Sequence, residues 1–276
     1  MNVLSKFDLT KDLALVTGGS GLLGLQHCNA LLEAGSRVVI LDIDKNAAKK
    51  CEAAFSSKYK NKIYILNTNI TKEKEIISAK AKIYKKFGQY PSILINNAAI
   101  DAKYECTNKT NKTRLEEFDL QQWNLEISVG LSAAFLCSKH FGIEMANSGK
   151  GVILNISSDL GIIAPSQFLY ADDKLSKNMQ SVKPVTYSVV KHGLIGLTRY
   201  ISTYWPDKGV RCNAMAPGGV FNNHDGKFKR ELSKLIPMGR MADLDEYKAT
   251  IVYMCSDASS YMNGSIISID GGRTSW

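Results

Sequence analysis

The feature that most constrains this chain is a regular alternation of short apolar segments with longer amphipathic ones. Seven apolar runs predict strands, at Leu13–Thr17, Arg37–Leu41, Lys62–Leu66, Ser92–Asn96, Gly151–Ile156, Gly209–Ala214 and Ser265–Ile269. Helical periodicity lies between them, at about 21–34, 45–57, 72–87, 116–146, 187–204 and 243–256. Such alternation produces right-handed βαβ units and predicts an α/β fold, a doubly wound parallel sheet of about seven strands with helices on both faces. A chain of 276 residues is long enough for one such domain, which we place at 1–276.

Composition narrows the class of protein. No apolar run reaches the roughly 20 residues of a membrane helix, and the N-terminal segment lacks the apolar stretch of a secretory signal. Six scattered cysteines without a C-x-x-C pair predict neither disulfides nor a metal site. The formal charge of +9 comes mostly from lysines spread along polar helix faces, without a basic run interleaved with aromatics. We therefore expect a cytoplasmic protein with no membrane or nucleic-acid partner.

A glycine-rich turn directly follows the first predicted strand and opens a predicted helix. It reads Gly18-Gly19-Ser20-Gly21-Leu22-Leu23-Gly24. Glycines at this place allow the backbone to approach a pyrophosphate, whose charge the free N–H groups and the helix dipole stabilise. Asp42 ends the second predicted strand, where a carboxylate can accept hydrogen bonds from ribose hydroxyls and repel a 2′-phosphate. The two features predict a Rossmann-like site that binds NAD in preference to NADP.

A tyrosine and a lysine four residues apart, Tyr187 and Lys191, open a helical pattern. This spacing places both side chains on one helix face, where the ammonium favours the tyrosinate that general acid/base chemistry requires. Tyr170–Lys174 and Tyr204–Lys208 have the same spacing. Pro206 interrupts the second of these, and the first lies in a polar loop without helical periodicity. Tyr187 with Lys191 is therefore the favoured pair.

The segments YSVVKHGLIGLTR (187–199) and GVRCNAMAPGGV (209–220) resemble the core of the classical short-chain dehydrogenase/reductase family. The resemblance extends over almost the whole chain, through TGGSGLLG, ILINNAA, ILNISSDLG and SIISIDGG. It implies an enzyme in which Tyr187 transfers a proton, Lys191 holds the nicotinamide ribose, and Ser158 hydrogen-bonds the reacting oxygen. The cofactor contacts implied by the motifs and the resemblance together are Gly18, Ser20, Gly21, Leu22, Leu23, Gly24, Asp42, Asn69, Ile70, Asn97, Ala98, Ala99, Tyr187, Lys191, Pro217, Gly218 and Val220. The resemblance also implies a homodimer or homotetramer that pairs the helices at 116–146 and 187–204.

Two features depart from the family's pattern. The turn has glycines at Gly18, Gly21 and Gly24, with Leu22 at the usual middle position, and this spacing resembles the extended branch of the superfamily. Gly130 stands where the family has an asparagine that bends a helix and anchors a water beside the lysine. A glycine can still supply a helix irregularity. The alternative is a sensor or scaffold that binds NAD and turns over poorly, although retention of all three catalytic residues argues against it.

Two predicted loops exceed a compact connection, Ile100–Arg114 and about 161–185. The second is charged, lies between Ser158 and Tyr187, and is expected to shape the pocket for a polar substrate. The segments TGGSGLLG, YADD, KPVTYSVVKHG and APGGVFNN resemble flagellin-modification oxidoreductases that act near nonulosonic-acid synthesis. This resemblance implies carbohydrate biosynthesis, with a sugar phosphate or nucleotide sugar as substrate. The alternative enzyme is a reductase of 3-oxoacyl or secondary-alcohol substrates, against which Asp42 and the charged loop argue.

Overall fold

Seven parallel strands form one sheet in the computed structural model, which describes residues 2–59, 61–100, 111–172 and 174–276. The strands are β1 (Leu13–Thr17), β2 (Arg37–Asp42), β3 (Ile63–Asn67), β4 (Ile93–Asn96), β5 (Gly151–Ile156), β6 (Val210–Pro217) and β7 (Ile266–Ile269). Their order across the sheet is β3-β2-β1-β4-β5-β6-β7, so the direction of winding reverses between β1 and β4. The predicted doubly wound, parallel α/β fold is confirmed.

Helices flank the sheet on both faces. In the described ranges they are α1 (Leu22–Glu33), α2 (Lys45–Tyr59), α3 (Glu73–Phe87), α4 (Leu120–Ile127), α5 (Ala133–Ser148), α6 (Val185–Tyr204), α7 (Gly226–Lys234) and α8 (Lys248–Cys255). The segment predicted as one helix at 116–146 consists of α4 and α5, joined by a π-helical turn at Ser128–Ser132. Helix α7 has no counterpart in the prediction, because its sequence GKFKRELSK is mostly charged; the side chain of Asp225 caps it.

The two faces of the sheet carry two separate apolar cores. Along β1, Ala14 and Val16 belong to the core beneath α1 and α8, whereas Leu13 and Leu15 belong to the core beneath α3, α5 and α6. This alternation follows from the two-residue period of a strand. Strands covered on both faces are buried throughout and mostly apolar, which explains why they stand out in the sequence.

The long loop before α6 lies beside the carboxyl ends of the central strands. It contains two short 3₁₀ turns, Gln167–Tyr170 and Lys177–Met179. Of the other predicted loop, residues 101–110 lie outside the described residues. Strand β6 continues to Pro217, three residues beyond the predicted end, and so brings the segment that follows it to the same edge of the sheet. No helix in the described part of the chain combines the length and the apolar character needed to cross a membrane.

Candidate active site

A cavity of about 730 Å³ opens at the carboxyl ends of the central strands, where the strand order reverses. Ligands of doubly wound sheets bind in this crevice. The predicted site residues that line it are Ser158, Tyr187 and Lys191, with Gly18, Gly21, Leu22, Leu23, Gly24, Asp42, Asn69, Ile70, Asn97, Ala98, Ala99, Pro217, Gly218 and Val220. Ser20 is not among the lining residues; its backbone N–H donates to Oδ2 of Asp42 instead. The fold thus brings the catalytic and cofactor candidates to one cavity.

The turn between β1 and α1 requires glycine at two places. Gly18 has a φ of +60°, in the left-handed region that favours glycine. A Cβ atom on Gly24 would overlap the carbonyl oxygen of Gly18 and would lie 2.8 Å from the Cα atom of Gly19. At the N-cap, Gly21 offers no side-chain hydrogen bond, so the first N–H groups of α1 stay available. Available N–H groups at a helix N-terminus suit the pyrophosphate of a dinucleotide.

The carboxylate of Asp42 is fixed by two backbone N–H groups at the end of β2. Its Oδ2 accepts from the N–H of Ser20, and its Oδ1 accepts from the N–H of Asp44, both over 3.0 Å. Each oxygen has a further lone pair, so the carboxylate can also accept hydrogen bonds from a ribose diol. Its negative charge disfavours a phosphate in place of a ribose hydroxyl.

Asn97 stabilises the glycine turn from β4. Its Nδ2 donates to the carbonyl oxygens of Thr17 and Gly18, both over 3.0 Å. In return the hydroxyl of Thr17 accepts from the backbone N–H groups of Asn97 and Ala98 at 3.1 Å. These bonds join the carboxyl ends of β1 and β4, the strands between which the winding reverses. The braced turn, the open end of α1 and the carboxylate of Asp42 fit a dinucleotide.

Tyr187 and Ser158 meet above the end of β5. The Oη atom of Tyr187 donates to Oγ of Ser158 over 3.3 Å, a long hydrogen bond of the kind that tightens around a bound ligand. Ser158 is extended, with φ −167°, and its Oγ donates to Oδ1 of Asp159 over 2.7 Å. Two oxygens that can bind one hydroxyl or carbonyl therefore face the cavity together.

Lys191 lies one helical turn after Tyr187 and is almost fully buried. Its Nζ donates to the carbonyl oxygen of Ile156 over 2.8 Å and lies 5.7 Å from the ring centroid of Tyr187. Burial, and to a smaller extent the positive charge of Lys183, lower the pKa of Lys191 to about 8. A lysine with this pKa exchanges its proton near neutral pH, which suits a group coupled to acid/base chemistry.

The other residues of the SSDLG segment hold β5 against α6. Ser157 donates from Oγ to the carbonyl oxygen of Lys191 over 2.8 Å. A Cβ atom on Gly161 would overlap Oγ of Ser157 and lie 2.9 Å from that same carbonyl oxygen. The segment therefore passes directly over α6, and this close approach fixes Ser158 relative to Tyr187. Both serines line the cavity, but Ser157 donates to the backbone of α6 whereas Ser158 accepts from the hydroxyl of Tyr187.

Gly130 lies in the π-helical turn and packs against α6 at the residue before Lys191. A Cβ atom there would be 2.6 Å from Cγ1 of Val190, closer than any ordinary van der Waals contact. The helix irregularity is thus present without the asparagine, and Val190 occupies the space beside the turn. Among the described residues, the ammonium of Lys191 is held by its hydrogen bond to the carbonyl oxygen of Ile156 and not by a side chain at position 130.

The sequence analysis missed several charged residues of the cavity, among them Asp159, Lys183 and Arg273. Asp159 is largely buried, and this burial raises the pKa of its carboxyl group. Lys183 ends the long loop, with Nζ 3.9 Å from the ring centroid of Tyr187. Arg273, 7% exposed, donates to Oγ of Ser166 over 3.1 Å. Asp159 lies within the recognised segment ILNISSDLG and Arg273 directly follows SIISIDGG, and these positions are signals that could have identified them.

The chain is similar to known oxidoreductases over nearly its whole length. A family model described as enoyl-(acyl carrier protein) reductase matches residues 21–274. The D-threitol dehydrogenase of Mycolicibacterium smegmatis is 28% identical over 273 residues, which are 97% of this chain and 95% of that protein. The 3-oxoacyl-[acyl-carrier-protein] reductase of Aquifex aeolicus is 28% identical over 268 residues, 96% of this chain and 98% of that protein.

Two solved structures show the same fold. A short-chain dehydrogenase from Leptospira borgpetersenii with bound NAD+ has a TM-score of 0.82 and 28% identity, covering 99% of this chain and 96% of its own. A gluconate 5-dehydrogenase from Burkholderia cenocepacia, in complex with NADP and tartrate, has a TM-score of 0.80, 24% identity and full coverage of both chains. With the family model matching nearly the whole length, the chain belongs to the short-chain dehydrogenase/reductase family of nicotinamide-dependent oxidoreductases that act on secondary alcohols and ketones.

Proposed function

We propose that this protein transfers a hydride between NAD and a secondary alcohol or ketone of a sugar derivative. The observation that carries the proposal is the contact between Tyr187 Oη and Ser158 Oγ, with buried Lys191 behind it, in the same cavity as the glycine turn. A catalytic tyrosine without a cofactor cradle, or a cradle without the tyrosine, would not support hydride transfer.

The roles of the three residues follow from their positions. Ser158 and Tyr187, with oxygens 3.3 Å apart, define the place of the reacting oxygen. In oxidation, Tyr187 accepts the proton of the substrate hydroxyl, and Ser158 hydrogen-bonds the oxygen as its charge develops. Lys191 stabilises the tyrosinate through its charge. The nicotinamide, when bound, supplies the hydride acceptor or donor.

Asp42 supports NAD as the cofactor. Its carboxylate is held rigidly at the end of β2, where it can accept from ribose hydroxyls and disfavours an added phosphate. Among the similar solved structures, one holds NAD+ and another holds NADP, so the preference has to be measured on this chain. Fluorescence titration with NADH and NADPH is the test, and equal or tighter binding of NADPH would contradict the proposal.

The charges of the cavity support a polar substrate. Lys183 and Arg273 line it together with Ser166 from the long loop, which we take as the substrate loop at about 161–185. Ammonium and guanidinium groups suit the phosphate of a sugar phosphate or nucleotide sugar. That narrower class, and a role in flagellin modification, rest on the sequence resemblance; the D-threitol and gluconate dehydrogenases among the similar proteins are compatible with sugar-like substrates.

The test of the whole proposal is the appearance of NADH absorbance with NAD and a panel of sugar phosphates, nucleotide sugars and polyols. We expect Tyr187→Phe to abolish turnover while NADH still binds, because the variant loses only the hydroxyl that exchanges the proton. Full activity in that variant would refute the catalytic assignment.

Two alternatives predict different results in the same assay. The similarity to a 3-oxoacyl reductase favours activity on acetoacetyl thioesters, against which the cavity's charged residues argue. A sensor or scaffold would bind NADH and turn over nothing in the panel.

Assembly and location complete the proposal. Apolar side chains are exposed along the helices that the family resemblance pairs: Leu120, Leu125, Phe135, Ile143, Val189, Tyr200 and Tyr204. Surfaces of this kind support a homodimer or homotetramer, which light scattering after gel filtration would establish. The five cysteines among the described residues are buried and free, which is compatible with the reducing cytoplasm that we propose as its location.

A further inference from the structure

We infer that Asp159 recognises a hydroxyl on the carbon next to the reacting carbon, so that the enzyme selects vicinal diols. The inference rests on the proposed dehydrogenase function and deepens it, since it names the substrate feature that the site reads. The proposed roles of Ser158, Tyr187 and Lys191 concern the reacting oxygen, and not the substituents on the neighbouring carbon.

The position of the Asp159 carboxylate is the first observation. Oδ1 accepts from Oγ of Ser158 over 2.7 Å and from the N–H of Leu160 over 2.8 Å. Oδ2 has no hydrogen-bond partner among the described residues, although Asp159 is only 8% exposed and lines the cavity. Oδ2 is thus open to the cavity and can accept a hydrogen bond from a ligand.

The spacing of the two oxygen acceptors is the second observation. Ser158 Oγ, which marks the place of the reacting oxygen, and Asp159 Oδ1 are one hydrogen-bond length apart. Hydroxyl oxygens on adjacent carbons in the gauche arrangement are separated by a similar distance. A diol can therefore place one oxygen beside Tyr187 and Ser158, so that the Ser158 hydroxyl turns from Asp159 to that oxygen, while the neighbouring hydroxyl donates to Oδ1 of Asp159 in place of Ser158.

The charge of Asp159 determines what kind of neighbour is accepted. Burial raises the pKa of the Asp159 carboxyl group, and the negative charge of Asp270 acts in the same direction, whereas the Ser158 hydroxyl, the N–H of Leu160 and the positive charge of Arg273 favour the ionised form. An ionised carboxylate accepts hydrogen bonds only. It therefore favours a hydroxyl, gains nothing from a methylene, and repels a carboxylate at the same carbon. A 3-oxoacyl chain, whose neighbouring carbon is a methylene, would leave the carboxylate unpaired.

The test compares pairs of alcohols that differ only in the neighbouring hydroxyl. The probes are cis-cyclohexane-1,2-diol against cyclohexanol, and propane-1,2-diol against isopropanol. With NAD, we expect kcat/KM of the wild-type protein to favour each diol by about a hundredfold, the usual value of one hydrogen bond to a charged group. Asp159→Asn, which keeps an acceptor oxygen but not the charge, should reduce the preference to about tenfold, and Asp159→Ala should remove it.

Controls separate recognition from folding. Asp207 is an exposed carboxylate outside the cavity, and Asp207→Asn and Asp207→Ala should keep the wild-type preference. Thermal unfolding and NADH binding show whether each Asp159 variant is folded. If neither variant folds, the ratio of kcat/KM for diol and monoalcohol in the wild-type protein decides the question. Equal kcat/KM for diol and monoalcohol would overturn the inference and leave the proposed function standing. Turnover of none of the four alcohols would overturn the inference, and the panel of sugar phosphates, nucleotide sugars and polyols would then decide the proposed function separately.

Discussion

Replacement of Lys191 by methionine is expected to abolish activity and to make the folded protein more stable at neutral pH. The ammonium is buried, and its pKa is about 8 in the folded protein against an ordinary value of 10.5. That difference corresponds to about 3 kcal/mol of unfavourable free energy at pH 7. Methionine fills the same space without charge, but leaves the carbonyl oxygen of Ile156 without its donor, which costs about 1–2 kcal/mol. The net expectation is a gain of about 1–2 kcal/mol.

The gain has a characteristic pH dependence. Between about pH 8 and pH 10.5 the unfolded chain binds a proton at Lys191 that the folded protein does not bind, so wild-type stability rises with pH over this window. The penalty is fully present below pH 8 and is lost toward pH 10.5. The advantage of Lys191→Met should therefore fall by about 2 kcal/mol between about pH 7 and pH 9.5. Comparison at equal pH cancels the contribution of every group that both proteins share.

Urea unfolding at several pH values measures both quantities. Exposed Lys208 provides the matched control, because Lys208→Met removes a charge that is already in water and should give a difference independent of pH. A Lys191→Met variant that is less stable at neutral pH, or whose advantage does not change with pH, would refute the reasoning that burial sets the pKa of this lysine.

Three further substitutions test the cofactor cradle and the packing beside α6. Asp42→Ala should weaken NADH binding about tenfold and reduce the difference in affinity between NADH and NADPH, because a charged acceptor of ribose hydroxyls is lost. Fluorescence titration measures both affinities. Gly24→Ala should abolish NADH binding while urea unfolding stays cooperative, since its Cβ would overlap the Gly18 carbonyl. Gly130→Ala should lower the free energy of unfolding by about 1–2 kcal/mol, and adding Val190→Ala should restore it, because the two side chains compete for one space.

The architecture could be predicted from sequence because the strand pattern, the glycine turn and the helical repeat all indicated the same fold. Strands covered on both faces are continuously apolar, and they stand out against amphipathic helices of ordinary length. The glycines at 18 and 24 are required by a backbone conformation and a close approach, so their spacing is visible in the sequence. Tyr187 and Lys191 belong to one helix, and their relative placement follows from the helical repeat alone.

The side chains that the sequence analysis missed lie outside the patterns on which it relied. Lys183 lies four residues before Tyr187, in the loop just before α6, where no helical periodicity predicts its contact with the Tyr187 ring. Asp159 is a polar residue that follows two serines, a context with no distinctive pattern. Its burial is set by the cavity around it. Helix α7 was missed because its sequence is mostly charged, and its cap at Asp225 is a weaker signal than apolar periodicity.

Gly130 shows how a departure from a family pattern has to be weighed with its packing. Taken alone, the missing asparagine suggests a site that binds without reacting. The neighbouring helix changes that assessment, because a Cβ atom at position 130 would meet Val190 one residue before Lys191. The π-helical turn is formed without a side chain to support it, and Lys191 keeps a hydrogen bond to the Ile156 carbonyl. Gly130 and Val190 therefore fit together where the π-helical turn packs against α6, and this packing keeps the neighbouring Lys191 ordered. An asparagine placed at 130 alone would disturb Val190, so its absence is no argument that the site has decayed.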